Sequence, residues 1–537
     1  MEAWQIRGVV LALSAIVDGL RTRWLAQVPQ PAGAFSSQRQ AWLGQVLGCL
    51  LVLMAALLIG VTGFMRQHFG PVTPDQVIYH LSHGGVEWAD AKILQRGFRW
   101  CLGAIVLAGL VAWVIRRAGK WVRRSALALL LGTTGWSLWA TVATACIVEP
   151  GQDPLQGYAD PAAQRFSQIG PSPDLLIVFV ESLEEGYAET SAFGEVLVPG
   201  LVGLRAQHQD FGDLQQIRGA SWTMAGMFAT LCGLPLQSVG LNTSKGTEFA
   251  SHFFGGGRCL TDVLHERGWE TAFYGAASLT FAGKGRFLAE HGVQYRFGRQ
   301  EWQALGLQAP DSGWGLRDST MVEAAWRHMT RPDHPQRPRA HIVLTVDTHG
   351  PQGVVDARCR PDLAAQTEPD PAAVMRAALQ CSDRAVTQLI ERFATHRTGR
   401  PKVALVMGDH LSTPHPLSGP LESQAAHQRR SVFHLLARWD ATGRPIAAAE
   451  SSAPRQFTHL DLMPTVAEAL GLRWQPQPHR LGLGVSLLAA RPVATRAEQF
   501  GTQNLDRLLS CPSPMFQSLW TRPPPARVSG SVSTAGL

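Results

Sequence analysis

The chain is 537 residues long, which exceeds one ordinary domain and indicates two or three. Its formal net charge of +7 is modest for this length, and neither zinc-finger spacing nor an aromatic–basic RNA signature is present. These features argue against a nucleic-acid-binding protein. With 45% hydrophobic residues, the chain can bury a large core.

Four apolar segments lie near the N-terminus. Leu43–Met65 and Ser125–Val148 carry no charged residue and reach the roughly 20 residues needed to span a bilayer. Trp100–Ile115 is shorter, with an arginine at each end that can extend to the membrane interface. Gly8–Val17 is the weakest segment and could be an interfacial helix instead. A transmembrane domain of about four helices is therefore predicted over residues 1–148, with a buried soluble helix pair as the alternative.

Basic residues between the apolar segments predict the orientation of this domain. Five lysines and arginines crowd the short stretch 116–124, which the positive-inside rule assigns to the cytoplasm. The segment after Val148 is therefore predicted to emerge on the outer face. The N-terminus lacks the small-residue cleavage site of a signal peptide. We expect a multi-pass membrane protein whose larger part lies outside the cytoplasm.

Composition divides the outer part into three regions. Residues 149–173 are rich in Gly, Pro, Asp and Gln without a helical or strand period, which predicts a linker. Short aliphatic runs then alternate with helical stretches, which predicts an α/β domain with a mostly parallel sheet over residues 174–493. Residues 494–537 contain three consecutive prolines and a Ser/Gly/Thr tail, so we predict a partly disordered extension.

Polar residues follow several of the aliphatic runs in the α/β domain. Three runs suit strands that are buried on both faces of a parallel sheet: Leu175–Val180, His341–Val346 and Val403–Met407. Glu181 follows the first run, His349 follows the second, and Asp409 with His410 follows the third. Ligands bind at the carboxyl ends of the strands in open α/β sheets, so these side chains predict a metal- or phosphate-binding edge.

A turn of small residues at Gly219–Ser221 leads into an apolar helix that begins near Thr223. A hydroxyl at a helix N-terminus lies in a field that favours an alkoxide and a bound phosphate. A divalent metal could activate such a hydroxyl by direct coordination. The alternative is that Ser221 or Thr223 only caps the helix. The G-x-S-x-G pattern of a serine hydrolase is absent from this segment.

Five cysteines fall in the part predicted to be exported, where an oxidising compartment permits disulfides. Nearest-neighbour pairing would join Cys232 to Cys259 and Cys359 to Cys381, and would leave Cys511 single. Spacing alone does not fix the connectivity, and free buried thiols are the alternative.

Together these segments resemble the phosphoglycerol transferase I family of Gram-negative bacteria, over roughly Asp75 to Leu488. The resemblance rests on Val180–Glu184, Thr223–Met227, Cys232–Leu236, Thr345–His349 and Asp409–Leu411. That family belongs to the alkaline phosphatase/sulfatase superfamily, beside lipoteichoic acid synthases and lipid A phosphoethanolamine transferases. The resemblance implies a protein of the inner membrane with its catalytic domain in the periplasm. The four cysteines paired above recur in the family's pattern.

The resemblance also implies roles for individual residues. Glu181, Thr223, Asp409 and His410 would hold one divalent metal ion, with Mn as the first choice and Mg or Zn as alternatives. Thr223 would also be the nucleophile. His349 would contact the substrate phosphate and assist proton transfer.

Further substrate contacts are implied by the same family pattern. Lys284 falls where related synthases have a basic residue that contacts phosphate, although a surface lysine is the alternative. Trp314 and Asp318 are weaker candidates for the substrate pocket. Ala220 stands where the family usually has threonine, while Thr223 matches the family's nucleophile position, which favours Thr223 over Ser221 as the nucleophile.

The implied reaction transfers phosphoglycerol from phosphatidylglycerol to an extracytoplasmic glycan, expected to be a periplasmic glucan, through a glycerophospho-threonine. One alternative is phosphoethanolamine transfer from phosphatidylethanolamine to lipid A or a glycan. Others are hydrolysis, as a sulfatase or phosphodiesterase, and a non-catalytic membrane scaffold. The Cys-x-Pro-x-Arg nucleophile segment of sulfatases is absent here. The sequence leaves the acceptor, the metal and the oligomeric state open.

Overall fold

The computed structural model describes residues 153–237, 252–308, 314–332, 337–425, 429–447 and 454–522, together with 91–117 and scattered positions between 53 and 79. The chain divides into two compact units. One contains residues 1–62 and 97–136, and the other contains residues 63–96 and 137–537. All the strands that the structure describes belong to the second unit.

The secondary structure alternates between strands and helices, as the sequence predicts. The strands are β1 Arg165–Gln168, β2 Asp174–Val180, β3 Gly212–Gln215, β4 Glu270–Gly275, β5 Tyr295–Phe297, β6 Arg339–Leu344, β7 Lys402–Gly408, β8 His434–Trp439, β9 Arg455–Thr458, β10 Leu472–Gln475, β11 Arg480–Leu481 and β12 Gly484–Val485.

Helices connect most of these strands. They are α1 Ala91–Arg117, α2 Thr190–Phe193, α3 Pro199–Arg205, α4 Thr223–Cys232, α5 Leu260–Glu266, α6 Lys284–Glu290, α7 Arg299–Ala304, α8 Asp318–Met329, α9 Pro361–Ala364, α10 Pro371–Thr395, α11 Ser418–Ala425, α12 Leu462–Ala469, α13 Arg496–Phe500, α14 Thr502–Leu509 and α15 Pro514–Thr521. Short 3₁₀ helices occupy Pro161–Ala163, Glu185–Tyr187, Phe281–Gly283 and His459–Asp461.

A six-stranded sheet lies at the centre of the second unit, in the order β5-β4-β6-β2-β7-β8. Its strands are parallel except β8, which pairs antiparallel with β7. The predicted α/β fold with a mostly parallel sheet is therefore confirmed. The three predicted strands are also confirmed, as β2, β6 and β7, although β6 ends at Leu344 rather than Val346.

Both faces of this sheet are buried. Along β2, Leu175, Ile177 and Phe179 join the core on one face, while Leu176 and Val178 join the core on the other. This alternation follows from the two-residue period of a strand. Burying one such side chain contributes roughly 1.5–3 kcal/mol relative to exposing it, which is why the runs are continuously apolar.

The register of the three central strands aligns their carboxyl ends. Phe179 of β2 lies opposite Leu344 of β6, and Val180 lies opposite Gly408 of β7. The residues that follow these strands therefore emerge at one edge of the sheet, where parallel sheets bind ligands.

The predicted linker and extension both contribute regular structure. Within residues 149–173, β1 pairs antiparallel with β10. Within residues 494–537, helices α13 to α15 pack against the domain and bury Phe516 and Trp520. The Asp153 carboxylate accepts hydrogen bonds from both ends of the Ser513–Met515 turn, so the two regions also contact each other. Residues 523–537, including the Ser/Gly/Thr tail, lie outside the described residues.

Two disulfides join the cysteines that nearest-neighbour pairing selected. Cys232 is bonded to Cys259, and Cys359 is bonded to Cys381. The expectation that Cys511 stays single is wrong, because this cysteine is disulfide-bonded as well. Pairing by sequence distance could not find that bond, because it uses no information on three-dimensional proximity.

Only one predicted membrane segment, Trp100–Ile115, lies in a continuously described helix, which is α1. Gly8–Val17 and Ser125–Val148 lie outside the described residues, and Leu43–Met65 is described only at scattered positions. Among the described residues, no helix combines the length and apolarity that a membrane crossing requires. The four-helix transmembrane domain stays a prediction.

Helix α4 packs unusually closely on the end of β7. A Cβ atom added to Gly226 in the middle of α4 would lie 1.9 Å from the carbonyl oxygen of Asp409. Gly203 in α3 offers a contrast, since it is exposed and nothing lies within 4 Å of an added Cβ atom.

We expect Gly226→Ala to lower the free energy of unfolding by about 1–3 kcal/mol or more, because the helix must move away from Asp409. Gly203→Ala is the matched control and should raise it by about 0.5–1 kcal/mol through better helix propensity. Urea denaturation of the two variants measures both effects. Wild-type stability in Gly226→Ala would contradict the close approach.

Candidate active site

Two neighbouring strand ends bring three potential metal ligands together. Glu181 follows β2, while Asp409 and His410 follow β7, and one ligand atom from each lies within 4.8 Å of the others. His410 Nε2 is 3.5 Å from Glu181 Oε1 and 3.4 Å from Asp409 Oδ2. All three side chains are buried. We call these three residues the strand-end cluster.

Thr223 borders the strand-end cluster from the start of α4. Its Oγ1 lies 3.3 Å from Glu181 Oε2 and 3.4 Å from His410 Nε2. Trp222 occupies the N-cap position with an extended backbone, and no side chain caps the helix. Neither Ser221 nor Thr223 is therefore the capping residue. The hydroxyl of Thr223 instead lies at the positive end of the helix dipole, beside the Glu181 carboxylate and the His410 imidazole.

Ser182 connects the two carboxylates of the cluster, although no sequence pattern singled it out. Its backbone N–H donates to Asp409 Oδ1 at 2.8 Å, and its hydroxyl donates to Glu181 Oε1 at 2.7 Å. The N–H of His410 also donates to Asp409 Oδ1, at 2.9 Å. Ser182 has a φ of 55°, which costs about 1–3 kcal/mol for a residue other than glycine. These hydrogen bonds hold it there.

Two threonines after β6 fix the backbone of Glu181. Thr345 Oγ1 accepts a hydrogen bond from the Glu181 N–H at 2.9 Å, and Thr348 Oγ1 donates to the Glu181 carbonyl oxygen at 2.6 Å. His459 supports the other strand end, with its Nε2 3.0 Å from the Asp409 carbonyl oxygen. Burial lowers the pKa of His459 to about 4, so this imidazole is neutral near pH 7.

The electrostatics of the cluster fit a bound cation. Asp409 Oδ2 is buried and has no hydrogen-bond partner among the described residues. Burial, followed by the charge of Glu181, raises the pKa of Asp409 to about 7. Two carboxylates, an imidazole and a nearby hydroxyl form a ligand set for one divalent metal ion, which would satisfy the free oxygen.

The pKa values of Glu181 and His410, the other two members of the cluster, are shifted by the opposite charges around them. Burial alone would raise the pKa of Glu181, but the imidazoles of His349 and His410 outweigh it and hold the pKa below its usual value. Burial would likewise lower the pKa of His410, but the carboxylates of Asp409 and Glu181 raise it above its usual value. Each charge is thus stabilised by the opposite charge next to it.

A second buried group of potential ligands comprises Cys259, Asp262 and His291. Cys259 is disulfide-bonded to Cys232, so its sulfur cannot bind a metal as a thiolate. His291 Nδ1 lies 2.7 Å from Asp262 Oδ2. His291 Nε2 contacts the carbonyl oxygen of Phe253 at 3.0 Å. This group therefore offers no thiolate and holds α5 against α6 instead.

Three of the predicted substrate contacts lie near the cluster. The Nδ1 atom of His349 is 2.7 Å from the Gly350 carbonyl oxygen, which makes Nδ1 the donor and leaves Nε2 without the proton in the neutral ring. The ring of Trp314 lies 4.4 Å from that imidazole, centroid to centroid. Lys284 is buried, and its charge also lowers the pKa of Glu181.

Asp318 makes its contacts within the fold. Its carboxylate accepts hydrogen bonds from the N–H groups of Val346, at 2.7 Å, and Asp347, at 3.2 Å, and from the Ser382 hydroxyl. The Asp347 carboxylate accepts the N–H of Asp318 in return, at 2.8 Å. Burial raises the pKa of Asp318 to about 6. These bonds join α8 to the loop that carries His349, and a substrate contact by Asp318 stays a prediction.

A partly buried ion pair that the sequence did not reveal lies next to the cluster. Both oxygens of Glu184 accept hydrogen bonds from Arg430, at 2.6 Å each, and the Ser412 hydroxyl also donates to Glu184. His415 Nε2 lies 3.0 Å from Ser412 Oγ and 2.8 Å from the Tyr187 hydroxyl. Arg430 is 246 residues from Glu184 along the chain, so no local pattern could pair them.

The chain is similar to curated bacterial proteins. It is 28% identical over 503 residues to phosphoglycerol transferase I of Xanthomonas campestris pv. campestris, which covers 90% of this chain and 67% of that protein. It is 28% identical over 474 residues to phosphoglycerol transferase I of Escherichia coli O127:H6, which covers 86% of this chain and 59% of that protein. The chain thus spans 59–67% of the length of these two relatives.

Solved structures also align with this chain. The lipoteichoic acid synthase LtaP from Listeria monocytogenes aligns with a TM-score of 0.43 and 16% identity, over 64% of this chain and 79% of that chain. The Streptococcus pyogenes phosphoglycerol transferase GacH, in complex with sn-glycerol-1-phosphate, aligns with a TM-score of 0.42 and 11% identity, over 64% of this chain and 87% of that chain.

The matching family model is described as Sulfatase and covers residues 173–472. This range is more than half of the chain. It contains all six strands of the central sheet, Thr223 and the strand-end cluster. The chain belongs to the sulfatase family.

Proposed function

We propose that this protein is a metal-dependent transferase that moves phosphoglycerol from phosphatidylglycerol to an extracytoplasmic glycan, expected to be a periplasmic glucan. The observation that carries the proposal is the position of Thr223 Oγ1, 3.3 Å from Glu181 and 3.4 Å from His410, two of the three residues of the strand-end cluster. The relatives named phosphoglycerol transferase I support the choice of transferred group.

Glu181, Thr223, Asp409 and His410 would hold the metal ion, for which we propose Mn, with Mg or Zn as alternatives. When bound, such an ion lowers the pKa of a coordinated hydroxyl and stabilises negative charge on phosphate oxygens. Lys284 and His349 supply further positive charge at the same edge of the sheet, and the Trp314 ring packs against His349.

In the first step, Thr223 Oγ attacks the phosphorus atom of the donor lipid. A bond forms between Oγ and phosphorus, and the bond from phosphorus to the diacylglycerol oxygen breaks. Diacylglycerol leaves with a proton, so the net proton transfer runs from the threonine hydroxyl to the leaving oxygen. We assign the protonation of that oxygen to the imidazolium form of His349, which carries a proton on Nε2, because Nδ1 is held by Gly350. The proton released by the Thr223 hydroxyl replaces the one that Nε2 gives up.

In the second step, an acceptor hydroxyl attacks the same phosphorus atom. The bond between phosphorus and Thr223 Oγ breaks, and the acceptor's proton restores the threonine hydroxyl. The enzyme is then unchanged, and the phosphoglycerol is attached to the acceptor. Such two-step covalent transfer divides one difficult displacement into two easier ones.

We further propose that the protein is a multi-pass protein of the inner membrane, with the α/β domain in the periplasm. The loop charges that predict the orientation support this location, as do the disulfides, which form in oxidising compartments. A membrane anchor would keep the site within reach of a lipid headgroup.

Thr223→Val replaces the nucleophilic hydroxyl with a methyl group of similar size. We expect turnover to fall by about 10³-fold or more, because no neighbouring residue can form the covalent bond to phosphorus in place of the threonine hydroxyl. Release of labelled diacylglycerol measures this loss, and mass analysis should find no phosphoglycerol on residue 223.

Thr230→Val is the matched control, since Thr230 lies on the same helix and its hydroxyl, within the described part of the chain, is hydrogen-bonded only to the Met407 sulfur. This variant should keep wild-type turnover. Turnover by Thr223→Val that equals that of Thr230→Val would contradict the nucleophile assignment.

Asp409→Asn tests the metal site with little change of shape. The amide oxygen can still accept the two N–H bonds made to Oδ1, while an NH₂ group replaces the free Oδ2. We expect the dialysed variant to lose its bound metal. Wild-type protein should gain about 2.7 kcal/mol of stability in metal at a hundredfold excess over Kd, and the variant should gain almost none.

Metal analysis and thermal unfolding with and without Mn²⁺, Mg²⁺ or Zn²⁺ measure these effects. The same titration shows which ion stabilises the protein most. Equal metal content in Asp409→Asn and the wild type would refute the site.

Incubating the purified full-length protein with phosphatidylglycerol or phosphatidylethanolamine, each labelled in the headgroup, tests the donor. We expect glycerophosphate to be transferred to periplasmic glucan, and diacylglycerol to appear only with phosphatidylglycerol. Transfer of phosphoethanolamine would replace the proposed donor. Release of free glycerophosphate without acceptor labelling would identify a hydrolase.

A further inference from the structure

Tyr79 precedes the α/β domain in the chain, yet its side chain lies inside that domain. It is only 1% exposed, and its hydroxyl donates a hydrogen bond to a residue that is 203 positions away along the chain. Tyr79 belongs to the same compact unit as residues 137–537. The Tyr79 side chain therefore packs among residues that are distant from it in the sequence. Its burial stabilises the domain that surrounds it.

The ring of Tyr79 packs behind the proposed nucleophile. Its centroid lies 5.9 Å from that of Trp222, the N-cap residue of α4, which immediately precedes Thr223. The ring also meets Phe253 edge-on at 6.3 Å. The start of α4 therefore depends on Tyr79 for part of its packing.

The hydroxyl of Tyr79 reaches a second part of the site. It donates a hydrogen bond of 2.7 Å to the carbonyl oxygen of Ala282. Ala282 has a φ of 55°, a left-handed conformation that disfavours alanine, and Gly283 follows with a φ of 70°. Such a backbone persists only when its surroundings hold it. The Tyr79 hydroxyl is one of the groups that do so.

The turn at Ala282 leads directly into the charged part of the site. Lys284 begins α6 two residues later and is buried. On the other side of Ala282, the Phe281 ring packs on Trp314 at 5.7 Å, and Trp314 packs on His349 at 4.4 Å. A shift of this turn would therefore move both Lys284 and the aromatic support of His349.

We propose that Tyr79 is a positioning residue, which aligns the nucleophile at the start of α4 with the turn that precedes Lys284. The inference rests on the proposed phosphoglycerol transfer. It gives Tyr79, which lies between two of the predicted membrane segments in the sequence, a direct part in forming the site. Without the Tyr79 side chain, the metal ligands would stay in place but lose their alignment with the substrate contacts.

Tyr79→Phe tests this role, because it keeps the ring and removes only the hydroxyl. We expect kcat to fall by about tenfold, while KM for the donor lipid, metal content and the unfolding temperature stay close to wild type. Amide hydrogen exchange of the peptide covering residues 279–286 should become faster. That peptide includes the N–H of Gly285, which donates to the Leu279 carbonyl oxygen at 2.7 Å.

Tyr158→Phe is the matched control, since the Tyr158 hydroxyl has no hydrogen-bond partner among the described residues. It should change neither kcat nor the exchange of residues 279–286. Tyr79→Leu, which also removes the aromatic ring, should lose more activity than Tyr79→Phe per folded molecule.

Two results would overturn the proposal. One is wild-type kcat in Tyr79→Phe. The other is a loss of activity that matches the loss of folded protein, which would make Tyr79 a purely structural residue. If the wild type does not transfer phosphoglycerol, the proposed function fails. The wild type and Tyr79→Phe are then compared by their turnover of bis-p-nitrophenyl phosphate, a soluble phosphodiester, and by hydrogen exchange. Turnover or exchange that is the same in both proteins overturns the inference.

Discussion

The repulsion between the carboxylates of Glu181 and Asp409 is the constraint on which the site depends. Both are buried at the ends of adjacent parallel strands, where a low dielectric strengthens their interaction. Backbone N–H groups donate to one oxygen of Asp409, while the other faces His410 Nε2 at 3.4 Å without a hydrogen bond. Protonation or nearby positive charge relieves such a pair, and His410 supplies a part of that charge. A divalent cation would supply the rest.

These charges are what would allow the Thr223 hydroxyl to act as a nucleophile. An isolated threonine at a helix N-terminus is an ordinary residue, and the helix dipole alone is worth about 0.3–1 kcal/mol at an exposed site. The close approach of α4 at Gly226 brings the hydroxyl within 3.4 Å of both Glu181 and His410. The close contact between Gly226 and the Asp409 backbone therefore places the Thr223 hydroxyl where it can act as a nucleophile.

The sequence predicted the parts of the site that follow from local patterns. Continuous apolar runs revealed β2, β6 and β7, and parallel strands must align their carboxyl ends, so Glu181, Asp409 and His410 could be grouped. The choice of Thr223 required the family resemblance, because a cap and a nucleophile look alike in one sequence. The ion pair between Glu184 and Arg430 could not be predicted, because contacts between residues that are distant in the sequence leave no periodic pattern.

The polar site also needs a rigid support on the other side of α4. The Phe228 ring, two residues after Gly226 and so on the opposite side of α4, packs against Phe254 at 5.0 Å and against Phe516 of the C-terminal helices at 6.2 Å. Phe253 and Trp520 extend this aromatic layer. Catalytic groups must be held to about half an ångström, and close-packed aromatic side chains resist displacement. The residues outside the predicted domain boundary, 494–522, are therefore part of what keeps α4 in place.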